Sequence, residues 1–271
     1  MKSLNLIGGG RVGRTLGRLW HDSGHYRVQD VLTRSTQTAR DAIGFLGAGH
    51  PATALTDMRP AEVWMLAVPD REIAAVASAL ARTVAAGQNA IAFHCSGALG
   101  AAELAPLQAL GWHVASAHCL LSFASPQSAL LQFAGTPCAL EGDPVALTEL
   151  EPAFTRIGAQ CFALAPEHKL LYHAGAVFAT NFVPVLQAVA DQLWRTSGVP
   201  APVAARLNAT LLRNAVHNVL ALGPAGALTG PAARGDLALV KRQGEAVTQW
   251  NATAGDAYKA LSELAARLAA S

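Results

Sequence analysis

The stretch NLIGGGRVGRTLGRLW, residues 5–20, constrains this chain more than any other. An apolar run, Leu4 to Ile7, reads as a short strand. After three glycines comes a segment with helical spacing, Val12, Leu16 and Leu19, which Gly24 is placed to end. Gly8, Gly10 and Gly13 fit G-x-G-x-x-G. Alone that pattern is common in turns, but between a strand and a helix each glycine has a reason. Gly8 permits the tight turn. Gly10 lets the backbone approach a pyrophosphate with no side chain between, and Gly13 lets the helix pack closely on the strand. The first helical residues, Arg11 and Val12, sit where free N–H groups and a partial positive charge meet phosphates. The competing reading is a glycine-rich turn with no ligand.

The rest of the first half alternates. Val28 to Thr33, Val63 to Val68 (VWMLAV), Ala90 to Cys95 and His113 to His118 read as strands. Helical segments such as REIAAVASALARTV lie between them. Runs apolar on both faces fit parallel strands covered on each side. The pattern predicts an α/β fold: a Rossmann-type, doubly wound, mostly parallel sheet. From Pro166 onward nearly everything reads as helix: 167–197, 202–222, 237–250 and 254–269, with the Gly- and Pro-rich loop GPAGALTGPAARGD at 223–236. The expected division is a dinucleotide-binding domain over 1–165 and an all-α domain over 166–271.

In such a sheet, ligands sit beyond the carboxyl ends of the strands. An NAD site carries Asp or Glu about 20 residues past the glycine motif, on the ribose hydroxyl. Here that strand ends Thr33-Arg34-Ser35, and Asp30 falls too early, inside the strand. Arg34 and Ser35 suit a 2′-phosphate, with Arg11 as a further positive charge, so the expected cofactor is NADP(H). The next strand end, Ala67-Val68-Pro69, is expected to pass under the cofactor. His94-Cys95-Ser96-Gly97 and Ser116-Ala117-His118-Cys119 bring polar groups to where nicotinamide and substrate meet. His94 and Ser96 are candidates for holding the carboxamide, and His118 for substrate binding or proton transfer. Two neighbouring His-Cys pairs also admit a metal site, but their spacing matches no familiar zinc pattern, and no metal is expected.

On the helix from Glu167, Lys169, His173 and Thr180 fall in a stripe about 40° wide, with Asn181 beside it. A polar stripe on an apolar helix needs a ligand or partners, and Asn208, Asn214, His217 and Asn218 are candidate partners. Pro184 is expected to kink this helix. In the late loop, Arg234 is placed to clamp a carboxylate, with Asp236 either holding it or capping the next helix.

Hydrophobic residues make up 52% of the 271 and charged residues 14%, with a net charge of +2, so a large core is expected and nucleic acid is not an expected partner. The apolar region 174–190 is interrupted by Asn181 and Pro184, and is read as a buried helix and not a membrane span. Four cysteines without a CxxC pair, and an N-terminus without a signal-peptide pattern, predict a cytoplasmic protein with reduced thiols.

The tracts IGGGRVG, VWMLAVPD, HCSGALG, HKLLYHAGAVFATNF and LTGPAARGD together resemble a bacterial Rossmann-like family with a C-terminal helical domain of unknown function. That family is similar to the pyrroline-5-carboxylate reductase, ketopantoate reductase and β-hydroxyacid dehydrogenase superfamily. The resemblance covers nearly the whole chain. It implies an NADP-binding domain, a helical domain through which chains pair as dimers, and an active cleft between the domains. β-Hydroxyacid dehydrogenases carry Lys and Asn one turn apart on the long helix, whereas here Lys169 is followed four residues later by His173. The expected function is an NADP(H)-dependent oxidoreductase acting on a small, anionic C=O or C=N substrate. His173 is the first candidate proton donor, then His118 and Lys169, with Ser96 and Asn181 orienting substrate or carboxamide. The alternative is an NADP(H)-binding sensor without turnover.

Overall fold

A computed structural model describes residues 1–84 and 89–270. The chain divides into two compact units, Met1–Thr180 and Asn181–Ser271.

In the first unit, β1 (Lys2–Ile7) leads through the glycines into α1 (Arg11–Ser23), which ends on Gly24 in the left-handed conformation. β2 (Tyr26–Leu32), α2 (Thr36–Leu46), β3 (His50–Ala52), β4 (Val63–Leu66), α3 (Ile73–Ala81), β5 (Ile91–His94), α4 (Ala105–Gln108) and β6 (His113–Cys119) follow. Then come α5 (Pro126–Gln132), β7 (Pro137–Gly142), α6 (Pro144–Arg156), β8 (Gln160–Ala163) and α7 (Lys169–Ala176). The eight strands form one sheet in the order β3-β2-β1-β4-β5-β6-β7-β8. Neighbours run parallel except β6 and β7, which are antiparallel.

Alternation along the strands feeds two cores. Val63 and Met65 of β4 join Leu16 and Trp20 of α1 and Leu46 of α2 on one face. Trp64 and Leu66 join Ile73 and Leu80 of α3 and Leu107 of α4 on the other. A sheet covered on both faces explains the continuous apolar runs in its central strands. Chain order reverses between β1 and β4, which opens the crevice at their carboxyl ends.

Three strands escape the sequence reading. β3 is three residues long and contains Pro51; β7 has a short apolar run, Cys138 to Leu140, between Pro137 and Glu141; and β8, four residues long, is the edge strand. The helical composition starts near 166, but α7 belongs to the first unit because Lys169 is buried against its strands.

The second unit holds α8 (Phe182–Thr196), α9 (Ala201–Ala227), α10 (Leu237–Trp250) and α11 (Ala252–Ala269). A π-helical turn, Val177–Asn181, precedes α8. It stands just before Pro184, whose missing N–H and bulky ring disrupt regular α-helical bonding. α9 runs past the expected end at 222: Gly223, at φ +73°, and Pro224 kink it, and one more turn follows. Asp236 caps α10 by accepting from the Leu239 N–H at 3.1 Å, and it makes no bond to Arg234 among the described residues. Asn208 donates to the Gln187 carbonyl at 3.1 Å, tying α9 to α8.

The run Pro166–Thr196 is long and apolar enough, by length and a mean hydropathy of 1.2, to cross a membrane. The expected burial of residues 174–190 is not found: Val185 and Leu186 are 56% and 45% exposed. Leu261 and Leu264, on the apolar stripe of α11, are also exposed. Ala204 is the one buried apolar side chain among the described residues of this unit.

Candidate functional site

The glycine loop is shaped by close approach. Gly8 has φ +106°, and a Cβ there would overlap the Ala67 carbonyl, so only glycine fits. A Cβ on Gly13 would overlap the Gly8 carbonyl oxygen and stand 3.2 Å from Ala67 Cβ. Gly10 faces open space out to 4 Å. Two glycines therefore lock strand to helix, and the third leaves the backbone bare toward a ligand.

A cavity of about 550 Å³ opens from this loop. One wall is Leu32, Thr33, Arg34 and Thr38; the other is Ala67, Val68, Pro69 and Arg71. Arg11 is exposed and does not line it. Ser35 does not line it either; its Oγ accepts from the Thr38 N–H at 3.2 Å and caps α2. Asp30 lies within β2 as expected, buried, and pairs with Arg59 at 2.5 Å. Arg14, passed over in the sequence reading, lines the cavity from the first turn of α1. The open loop, the two helix N-termini and the arginines fit a dinucleotide phosphate backbone.

A second polar cluster forms where β5, β6 and α7 meet. Asp70, just after β4, accepts from Ser96 Oγ at 2.8 Å. That oxygen in turn accepts the N–H groups of Ala98 (3.2 Å) and Leu99 (3.0 Å). His94 is fully buried. Its Nδ1 accepts the Ser96 N–H at 3.2 Å, which leaves Nε2 to donate to the Gly100 carbonyl at 2.9 Å. Both ring nitrogens are thus used by the main chain of the loop. Burial drives its pKa down to about 4; the Lys169 charge adds to this, and Gly100 and Asp70 oppose it.

Lys169, 1% exposed, donates to Ser116 Oγ at 2.6 Å and to the Ser96 carbonyl at 3.3 Å. Burial lowers its pKa, while Glu141 and Asp70 pull it back up. His118 Nδ1 bonds the Tyr172 hydroxyl at 3.0 Å, and its ring meets His173 edge-to-face at 5.4 Å. Burial, then His173 and Lys169, bring the His118 pKa down to about 4. His173 Nδ1 is buried without a protein partner among the described residues. Gly97 makes room for this pair: a Cβ there would overlap His173 Nδ1 and stand 2.7 Å from His118 Cε1.

Of the expected catalytic residues, His118, His173, Lys169 and Ser96 are thereby brought together. Thr180 and Asn181 are exposed beyond Ala176; the π-turn breaks the 100° spacing on which their stripe depended. Val12 lies with Cys95, His118 and Cys119 on a small cavity of about 90 Å³. The His-Cys pairs do different work: Cys119 packs on Cys138 across the sheet, Sγ to Sγ 3.5 Å. Among the described residues no group of three or more His, Cys, Asp or Glu is arranged to hold a metal.

Comparison with known proteins agrees with this architecture. A Rossmann-like domain model matches residues 2–118, and one described as Domain of unknown function (DUF2520) matches residues 136–265. The two models match successive parts of the chain, the Rossmann-like one over β1 to β6 and the other from β7 into α11. No curated protein matches it. Among solved structures, protein TM1727 from Thermotoga maritima is 27% identical over 98% of both chains, with a TM-score of 0.75. BF3122 from Bacteroides fragilis, described provisionally as an NADP oxidoreductase, is 19% identical over 98% of both chains, with a TM-score of 0.77. Plasmodium falciparum pyrroline carboxylate reductase, solved with NADP bound, is 11% identical over 99% of this chain and 98% of that one, with a TM-score of 0.57. The last two likenesses are of fold.

Proposed function

We propose that this protein is an NADP(H)-dependent oxidoreductase acting on a small, anionic C=O or C=N substrate. The observation that carries the reading is the pairing of two sites on one sheet edge: the open glycine-loop cavity, and the His118–His173–Tyr172 cluster at the ends of β5, β6 and α7. The substrate class takes its support from the likeness to a pyrroline carboxylate reductase, whose name specifies a cyclic C=N and a carboxylate.

The nicotinamide cofactor, when bound, supplies the hydride chemistry. The glycine loop and the N-terminus of α1 hold its pyrophosphate, and Thr33 and Arg34 its adenosine side. His118 and His173 are the residues that move a proton at the substrate oxygen or nitrogen. Tyr172 fixes the His118 ring through Nδ1, which leaves Nε2 for the substrate. Lys169 and Ser96 act as positioning residues, because their polar atoms are bound to Ser116 and Asp70 and both are buried.

The helical unit pairs with a second copy of the chain. Its support is the near absence of buried apolar side chains in that unit, beside the exposed Val185, Leu186, Leu261 and Leu264. Light scattering on the purified chain is expected to give a dimer, and a monomer at micromolar concentration would overturn this part.

The oxidoreductase reading is tested by NADPH consumption across small keto acids and cyclic imines, in wild type, His118→Ala and His173→Ala. Turnover that falls at least 100-fold in one or both variants is expected. Tight NADPH binding without consumption of any substrate would favour a sensor. Turnover unchanged in both variants would remove the histidines from the chemistry.

A further inference from the structure

Arg14 is a cation in an unfavourable place. It is the fourth residue of α1, near a helix terminus that is itself positive, and the first turn holds no acidic residue. Its Nε is buried and has no hydrogen-bond partner among the described residues. Folded proteins rarely leave such a group unanswered. Arg18, one turn later on the same helix face, shows the ordinary solution: it binds Asp22 at 2.7 Å and the Phe45 carbonyl of α2 at 3.1 Å. The shared face therefore looks toward α2, and Arg14 lines the cavity with Arg34 and Thr38. The first turn of α2 also lacks an acidic residue. Glu72 is the one acid on the cavity wall among the described residues, and it pairs with Arg71 at 3.3 Å.

We infer that Arg14 is a specificity-determining residue for a phosphate monoester, closing with Arg34 on the 2′-phosphate of NADP(H). A pyrophosphate is met by the N–H groups of the glycine loop and does not require a guanidinium on the α2 side. A dianionic monoester on the ribose does, and paired arginines suit it. The inference rests on the dinucleotide reading above. It moves the second positive charge from Arg11, which is exposed, to Arg14.

The test is titration of wild type, Arg14→Met and Arg14→Lys with NADPH and NADH, followed by energy transfer from tryptophan, and with 2′,5′-ADP by calorimetry. Methionine keeps much of the apolar stem and removes the charge. Arg14→Met is expected to weaken NADPH and 2′,5′-ADP by about 10- to 100-fold, with NADH changed less than about threefold. Arg14→Lys, which keeps a point charge and is the fallback if Arg14→Met does not fold, is expected to fall between. Arg34→Met added to Arg14→Met is expected to cost less than the product of the two, since both serve one phosphate. Equal losses for NADPH and NADH, or no loss for either, would overturn the inference while the cofactor reading stands. A folded wild type that binds both equally would overturn the inference and the preference for NADP(H) while the dinucleotide site stands, and one that binds neither would overturn the dinucleotide reading as well.

Discussion

The glycine-loop cavity and the β5–β6–α7 cluster lie along the same sheet edge and are built in opposite ways. In the cavity the backbone supplies the shape, and Arg14 Nε has no hydrogen-bond partner among the described residues. In the cluster most polar atoms are already answered, Ser96 by Asp70, His94 by the main chain at both nitrogens, Lys169 by Ser116 and His118 Nδ1 by Tyr172, while His173 Nδ1 has no hydrogen-bond partner among the described residues. The first region offers a ligand its bare backbone and a guanidinium, and the second offers only imidazole nitrogens. The second uses its bonds to fix rings and protonation states, which is the arrangement a preorganised reaction centre needs. Affinity and chemistry should therefore separate by position, and substitutions can break or sharpen that separation.

Gly8→Ala should have the largest effect. The new methyl meets the Ala67 carbonyl in a backbone conformation that L residues rarely adopt, at a cost of about 3 kcal/mol or more. Thermal unfolding should show a clear loss of stability, and NADPH titration a loss of binding beyond detection. Retained binding would mean the loop is not the cradle. Gly97→Ala comes next and should act on the other side alone. Displacing His118 and His173 by less than an ångström should reduce turnover about 100-fold while NADPH affinity stays within about twofold. If both quantities fall together, the two regions are not separable.

The sequence made the cavity legible because its design is local. Gly8, Gly10 and Gly13 sit within six residues, directly between strand and helix, and backbone physics assigns each a place. Arg14 was missed because nothing in a linear reading shows that α1 turns this residue toward α2. The cluster is nonlocal, and only fragments were visible. His118 and His173 were named, but their meeting depends on how β6 packs under α7. Tyr172 did leave a signal: Lys169 stands i, i+3 from Tyr172 and i, i+4 from His173, so both rings flank the lysine. Extending the helix face of Lys169 and His173 to Thr180 failed because the π-turn intervenes. Five strands, β1, β2, β4, β5 and β6, were readable from apolar runs; β7 was not, because its buried run is only Cys138 to Leu140, nor was β8, a four-residue edge strand that is mostly exposed.

Acid should act on the cluster before it acts on the cavity. His94 and His118 have pKa values of about 4 in the folded chain, below the ordinary value of 6.5. Between those limits the unfolded chain binds more protons than the folded one, so stability rises with pH across that window. It should be full above about pH 6.5 and decline toward pH 4, by an order of a few kcal/mol for the pair. Urea unfolding at pH 7 and pH 5 measures this, since most carboxylates remain ionised at both. Equal midpoints would mean that the two rings are solvated in the folded state.

The smallest expected effect is also the most specific. Lys169→Met removes a buried charge that lowers the His118 pKa, while leaving burial and His173, the two larger causes, in place. The His118 ring, followed by NMR, should titrate at a higher pH than in wild type and still below 6.5. NADPH affinity should be unchanged, because Lys169 does not line the cavity. A His118 titration that does not move would show that Lys169 is not electrically coupled to the reacting end. Its hydrogen bonds to Ser116 and the Ser96 carbonyl would then be its whole contribution, and Lys169→Met should reduce turnover only as far as those bonds align the loop that carries Gly97.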